Sequence, residues 1–243
     1  MNPSLGNAND AVRAGLESIG DRAEATLAAV KPRLRGWLHL ATAPIALAGG
    51  IVLIVLSPTA TTRLGSAVFA ASALLLFGVS AVYHTGTWSP KVWAFLRRFD
   101  HANIFLLIAG SYTPLTLLLL EGRQRTVLLT TVWTCAVLGV LFRVLWTDAP
   151  RWLYTPIYIG MGWAALFFMP GFLDGAEKVL GNGTGVAVLG LIAAGGLLYT
   201  LGVGFYANKK LRFRRAIWHG HVVAAASVHW VAVLLAVLEQ PGV

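Results

Sequence analysis

Seven uninterrupted apolar stretches constrain this chain more than any other feature of its sequence. A helix needs ~20 apolar residues to cross the hydrocarbon of a bilayer, and each stretch is about that long. Only 12% of the 243 residues are charged, about half of the fraction usual in a soluble domain. The sequence therefore predicts an all-α integral membrane protein, a seven-transmembrane helix bundle. The predicted spans are Leu38–Ser57, Leu64–Tyr83, Ala102–Leu120, Val127–Trp146, Leu153–Phe172, Gly185–Ala207 and Ile217–Leu238.

Short connectors between the spans predict one membrane domain, residues 37–243, after an N-terminal segment of residues 1–36. The first 36 residues lack the apolar core of a cleavable signal peptide. They instead repeat apolar residues at steps of three and four from Val12 to Leu34, which predicts an amphipathic cytoplasmic helix. This helix would either lie on an anionic membrane surface or pack on the bundle or a partner. The single cysteine, Cys135, falls within an apolar span and is predicted to serve packing.

The distribution of lysine and arginine predicts how the bundle is oriented. With seven spans, 14 of the 19 basic residues lie on the side of the N-terminus, and Arg143 lies within the fourth span. Because positive residues stay on the cytoplasmic side, the N-terminus is predicted to be cytoplasmic and the C-terminus outside. The net charge of +9 is thus a topology signal, and no nucleic-acid partner is expected. The basic residues predicted on the outer side are Arg63, Arg123, Arg125 and Lys178.

Polar residues from distant parts of the chain are predicted to share the cytoplasmic third of the membrane. The second span ends at His84, the third begins at Asp100, and the seventh begins near His219. The first span also begins at this depth, near His39. Ser80 precedes His84 by four residues, so it shares that helix face and lies ~6 Å deeper. Ionisable groups inside a bilayer are costly, so their convergence indicates a functional site. His84 and His219 are candidate metal ligands, since neutral imidazole suits zinc.

Two interpretations of these residues remain open from the residues alone. In the functional one, the imidazoles bind zinc, Asp100 orients or deprotonates an attacking water, and Ser80 donates a hydrogen bond to a developing oxyanion. In the structural one, Asp100 caps the third helix, and His39 and His101 are wetted groups near the interface. Each residue alone fits the structural interpretation, whereas their convergence on several helices favours the functional one.

Four sequence blocks resemble the bacterial hemolysin III family, which belongs to the progestin and adipoQ receptor (PAQR) superfamily. The resemblance covers about residues 36–238 and implies an intramembrane zinc held by three histidines. One comes from the second span and two from an H-x-x-x-H pair in the seventh, with a serine and an aspartate beside the metal. Carried over, His84 and His219 are ligands, Ser80 is the serine and Asp100 is the aspartate. The blocks are SAVYH (80–84), RFDHANIFLLIAGSYTPL (98–115), MGW (161–163) and AIWHGHVVAAASVHW (216–230).

The chain departs from that family pattern at one ligand position. The first histidine of the seventh-span pair is replaced by Arg215, and a guanidinium stays protonated and cannot bind zinc. His221 has the wrong spacing to replace it. Two outcomes are therefore open: the metal is lost and Arg215 pairs with Asp100, or zinc is retained and Arg215 extends towards the cytoplasmic face.

The resemblance implies a multi-pass protein of the bacterial inner membrane that acts on membrane lipids. Related zinc proteins include lipid amide hydrolases, so the expected reaction is attack of water on a lipid amide or ester, in the service of membrane lipid homeostasis. A non-enzymatic membrane sensor or receptor is the alternative. A pore-forming hemolysin is least favoured, because a water pore needs polar groups through the full membrane thickness, and these thin out beyond the cytoplasmic third.

Overall fold

The computed structural model describes Ile19, residues 34–146 and residues 149–240. Within these residues the chain is helical and contains no strand. This described part of the chain contains seven α-helices, together with a short 3-10 helix at Ala164–Phe168. They are α1 (Leu34–Leu56), α2 (Ala60–Thr85), α3 (Pro90–Leu119), α4 (Gly122–Leu145), α5 (Arg151–Gly162), α6 (Met169–Ala207) and α7 (Arg214–Leu238).

Local sequence signals explain where the early helices begin. Thr59 caps α2 through a capping box, in which its side chain and that of Thr62 each accept from the other's backbone N–H. Pro90 opens α3 at the first helical position, where its missing N–H has no helical partner to lose. Asp100 consequently lies well inside α3. The interpretation in which it caps this helix is therefore wrong, because α3 begins ten residues earlier, at Pro90.

Residues 152–207 differ most from the series of separate spans that the sequence predicts. It includes two predicted spans but is continuous enough to count as one candidate element, Trp152–Ala207. Its backbone is non-helical at Gly181, where φ is 71° and ψ is 166°, a conformation open essentially to glycine alone. An ideal Cβ on Gly185 would lie 2.8 Å from the carbonyl oxygen of Ala176. The chain therefore doubles back on itself at this break.

The number of spanning elements is a correction to the sequence prediction. The described residues contain six helices long and apolar enough to cross a membrane, where the sequence predicted seven spans. The difference arises because the fifth and sixth predicted spans fall in one 56-residue element. The other five predicted spans each coincide with one observed helix, although the helices begin three to twelve residues earlier than predicted.

Close packing of small residues positions the helices that carry the polar side chains. Ideal Cβ atoms would lie 2.6 Å from Ala70 at Gly50 of α1, and 2.7 Å from the Cα of Pro114 at Gly65 of α2. Trp230 of α7 donates from its indole N–H to the carbonyl of Gly49 at 3.0 Å. Small residues allow this approach of helices in a membrane, so α1, α2, α3 and α7 are held side by side.

Two predictions remain to be placed against these helices. The amphipathic helix predicted between Val12 and Leu34 lies outside the described residues, apart from Ile19 and Leu34, which are both helical and exposed. Cys135 is a free, half-buried cysteine on α4, and it packs against the hydrophobic core. That contact agrees with the packing role predicted for it.

Candidate intramembrane polar site

The structure brings His84, Asp100 and His219 together from three different helices. His84 is the next-to-last residue of α2, and its Nε2 lies 3.8 Å from Oδ2 of Asp100 on α3. The ring centroids of His84 and His219, which lies near the start of α7, are 5.4 Å apart. Three polar side chains that are distant in sequence thus form one cluster at one end of the bundle.

Ser80 lies one turn before His84, on the side of α2 that faces the cluster. Its side chain is buried, with 1% of the residue exposed, and it lies close enough to Asp100 to act on that carboxyl. Its Oγ nevertheless has no hydrogen-bond partner of good geometry among the described residues. A buried hydroxyl without a fixed partner is free to donate to another group.

Arg215 contributes to the cluster through its backbone only. Its carbonyl oxygen accepts a hydrogen bond of 2.7 Å from Nδ1 of His219, which leaves the Nε2 lone pair of that ring free. The Arg215 side chain is exposed, and no ion pair links it to Asp100 within the described part of the chain. Of the two outcomes drawn from the sequence, the geometry therefore favours an Arg215 side chain that extends away from the cluster.

One residue of α1 also belongs to the cluster, which we define as His39, Ser80, His84, Asp100 and His219. His39 is 3% exposed, and its ring centroid lies 4.6 Å from that of His219. It is not a wetted interfacial group. Arg35, one turn earlier, acts electrostatically on Asp100 and borders the cluster. Their four-residue spacing places both on one face of α1. The sequence predicted His39 at the depth of the cluster, and this spacing is the signal that could have identified Arg35.

A second set of polar contacts surrounds Asp100 on α3. Nδ1 of His101 lies 3.9 Å from Oδ2 of Asp100 and donates to the carbonyl of Arg97 at 2.7 Å. The carbonyl of His101 accepts from the hydroxyl of Tyr158 at 3.1 Å. These contacts hold His101 against the backbone, so we assign it to support of the cluster rather than to chemistry.

The remaining histidines of α7 lie outside the cluster. Nδ1 of His221 donates to the carbonyl of Ile217 at 2.9 Å, and its ring packs against Phe205. His229 bonds through Nε2 to the carbonyl of Ile192 at 3.3 Å. Neither residue contacts His84 or Asp100.

The cluster fits zinc by donor chemistry but not by the present orientation of its rings. In the described residues, no three histidine, cysteine, aspartate or glutamate side chains are arranged to hold a metal. The donor types are nonetheless those that zinc prefers: His84 and His219 would bind through their free ring nitrogens. The hydrogen bond from Nδ1 of His219 to a backbone carbonyl is the outer contact that usually orients a metal-binding histidine.

Comparisons with known proteins agree with the resemblance seen in the motifs. Residues 27–230 match the family model described as Haemolysin-III related. The chain is 34% identical over 180 residues to "Hemolysin-3" of Bacillus cereus, covering 74% of this chain and 78% of that protein. It is 34% identical over 174 residues to the "Hemolysin-3 homolog" of Bacillus subtilis, with coverages of 72% and 78%. "Monocyte to macrophage differentiation factor" of Homo sapiens is 26% identical over 206 residues, with coverages of 81% and 80%.

Proposed function

Because this chain belongs to the Haemolysin-III related family of multi-span membrane proteins, we propose that it hydrolyses amide or ester bonds of membrane lipids at the polar cluster. The consequence would be control of membrane lipid state from the bacterial inner membrane. The observation that carries the proposal is a carboxylate, Asp100, that lies among imidazoles and beside a buried hydroxyl, all on helices apolar enough to span.

The proposed topology has seven crossings with the N-terminus in the cytoplasm. At 1.5 Å per residue, the 56-residue element Trp152–Ala207 would be ~84 Å long if straight, far beyond the ~30 Å of a bilayer core. The indole N–H of Trp163 donates to Oγ1 of Thr200 at 3.0 Å, which supports two antiparallel crossings. The excess of basic residues at the N-terminal side supports the orientation and places the cluster near the cytoplasmic face.

Asp100 is the group best placed to handle the water that attacks the lipid carbonyl. Its Oδ2 is within 4 Å of one ring nitrogen of His84 and one of His101. A carboxylate there can accept a proton from the attacking water and return it to the amine or alcohol that leaves. Ser80 would donate its unpartnered hydroxyl to the oxyanion that forms on the carbonyl oxygen. Surrounding apolar helices would limit competing water.

Zinc is part of this proposal as a resident metal. His84 and His219 would hold it, since each ring has a nitrogen free of backbone hydrogen bonds. When bound, zinc supplies a Lewis acid that makes water a nucleophile at neutral pH. Asp100 and Ser80 act through their own side chains, so substitution of each residue tests its role directly.

The test is release of fatty acid by the purified protein in lipid vesicles. Vesicles would contain either an N-acyl amide lipid or a diacyl ester lipid, and mass spectrometry would quantify the free acid. Asp100→Asn should lower the rate about 100-fold or more, since general-base catalysis contributes that much. Ser80→Ala should lower it about 100-fold by removing the oxyanion donor.

The matched control is Ser72→Ala on the same helix. Ser72 is also buried, but its hydroxyl is already bonded to the carbonyl of Phe69 at 2.8 Å, and it should keep the full rate. Release that is equal in the unaltered protein and Asp100→Asn, or absent with both lipids, would contradict the proposed hydrolysis.

A further inference from the structure

His39 is the side chain of the cluster for which the proposed reaction has no role. It is 3% exposed. Neither Nδ1 nor Nε2 makes a hydrogen bond of good geometry to the described residues, although the backbone of His219 lies close to the ring. A neutral imidazole carries one donor and one acceptor, and each buried polar group left unpaired is costly. Its neighbours are the ring of His219 and the edge of Phe77, at centroid distances of 4.6 and 5.2 Å. Both nitrogens are therefore available to a ligand.

The cluster lacks one imidazole at the position where the sequence departs from its family. Position 215 is arginine, whose side chain is exposed and whose backbone already orients His219. With His84 and His219 alone, the site offers two imidazoles, whereas a zinc site with one position open for water uses three protein ligands. The ring of His39 contacts the ring of His219. His39 lies on α1, a helix that carries no zinc ligand in the family resemblance.

We propose that His39 is a zinc ligand in this chain and supplies the imidazole that Arg215 replaces. The inference rests on the proposed function, because it concerns the metal of the same site. Together with His84 and His219 it would give a set of three histidines from α1, α2 and α7. The third ligand would thus have moved from the seventh span to the first.

Metal binding requires a change in the present orientation of the imidazole rings. The rings of His39 and His219 are tilted by 37° at a centroid distance of 4.6 Å, and no three side chains of the described residues are arranged to hold a metal. The ring of His39 must turn about its side-chain bonds to direct a nitrogen towards His84. No hydrogen bond of good geometry holds it in its present orientation, so this rotation gives up at most a weak contact with the backbone of His219.

The charges around the cluster also bear on the proposal. Asp100 is the acidic group there, and it lies 3.8 Å from Nε2 of His84. Arg35 is a cation near the cluster, with His84, His219 and Asp100 all within its electrostatic reach. Zinc would gain from the carboxylate and be opposed by the guanidinium, so the neutral imidazoles must supply much of the affinity.

The test is zinc content of the full-length protein purified in detergent and loaded with zinc, measured by elemental analysis. The unaltered protein should hold about one zinc per chain. His39→Ala should lower zinc affinity at least tenfold, since even outer contacts of metal ligands contribute ten- to hundredfold. The control is His221→Ala, because His221 is bonded within α7 and lies outside the cluster; it should retain zinc.

A second variant separates loss of a ligand from loss of folding. The double variant His39→Ala with Arg215→His restores three histidines in the arrangement of the family motif, and it should regain the zinc that His39→Ala loses. X-ray absorption of the zinc-loaded unaltered protein should count three imidazole ligands without any substitution. Two imidazoles, or equal zinc in His39→Ala and the unaltered protein, would overturn the role of His39.

The outcomes also distinguish this inference from the proposed function. A loaded protein that holds no zinc would overturn the role of His39, whereas lipid hydrolysis that depends on Asp100 would still be measured independently. Conversely, zinc bound through three histidines with no lipid hydrolysis would support the metal site and contradict the proposed reaction.

Discussion

The carboxylate of Asp100 lies among polar side chains that several helices hold in place. His84 of α2 approaches it from one side at 3.8 Å, and its chain neighbour His101 approaches at 3.9 Å. Arg35 of α1 adds a positive charge nearby. In a medium of low dielectric such charges act on each other over long distances. The balance between Arg35 and Asp100 therefore sets how readily the cluster accepts a cation.

Removal of the Arg35 charge should strengthen zinc binding. Arg35→Gln should lower the zinc dissociation constant roughly tenfold, equivalent to about 1.4 kcal/mol, because a positive charge that opposes the metal is lost. Competition with a chelator of known affinity measures this constant. Lys91→Gln, at the exposed start of α3, is the control and should leave it unchanged. Weaker zinc binding by Arg35→Gln would mean that Arg35 supports the site.

Spacing within a helix could be predicted from the sequence, whereas rotation of one helix against another could not. Ser80 and His84 share a face because they are four residues apart, and the structure places both beside Asp100. His39 and Arg35 have the same spacing on α1. Their side of that helix depends on its packing against α2 and α7, which no local pattern reports. The sequence therefore predicts the depth of His39 but leaves open whether it joins the cluster or is a wetted group near the interface.

The contact between α2 and α3 determines the distance from His84 and Ser80 to Asp100. Gly65 of α2 faces Pro114 of α3, and an ideal Cβ there would lie 2.7 Å from its Cα. Backbone atoms at this distance cannot move aside as a flexible side chain can. Gly78, on the same helix, has no atom within 4 Å of such a Cβ. Substitution of these two glycines therefore distinguishes the effect of close helix packing from the effect of glycine on helix stability.

Gly65→Ala should destabilise the protein and Gly78→Ala should not. The added methyl at position 65 forces α2 and α3 apart, and such overpacking costs about 1–3 kcal/mol. At position 78 the same change should be neutral or stabilise by about 0.5–1 kcal/mol, because glycine is a poor helix former. Thermal unfolding in detergent compares the variants. Equal transition temperatures would show that the two helices are not held together at Gly65.

At the scale of the molecule, the number of times that the chain crosses the membrane determines the membrane face at which the start of α7 lies. His219 of the polar cluster lies near that start. Most predicted spans were recovered because long apolar runs alone determine a spanning helix. The count was not recovered, because two predicted spans are joined through a break at Gly181 that the composition of the segment does not reveal. The contact between Trp163 and Thr200 brings the two halves together, which favours seven crossings.

Cysteine labelling in intact cells tests the number of crossings and the orientation together. In a background with Cys135→Ala, Lys91→Cys and Lys209→Cys should react with an impermeant maleimide only after permeabilisation. Arg123→Cys should react in intact cells. All three native side chains are exposed, and each lies near a helix end.

Each alternative topology predicts its own labelling pattern. If Lys209→Cys reacts in intact cells while Lys91→Cys is protected, the element Trp152–Ala207 crosses once and the seven-span topology is wrong. If Lys91→Cys and Lys209→Cys both react while Arg123→Cys is protected, the orientation is inverted and the cluster lies near the outer face.

The source of the oxygen in the released acid tests the central claim most directly, since hydrolysis transfers one oxygen atom from water to the acyl carbon. Unaltered protein in lipid vesicles, incubated in heavy-oxygen water, should release fatty acid that carries one heavy oxygen. Asp100→Asn should release about 100-fold less. Acid that carries no heavy oxygen, or heavy-oxygen acid formed equally fast by Asp100→Asn, would contradict water attack at the polar cluster.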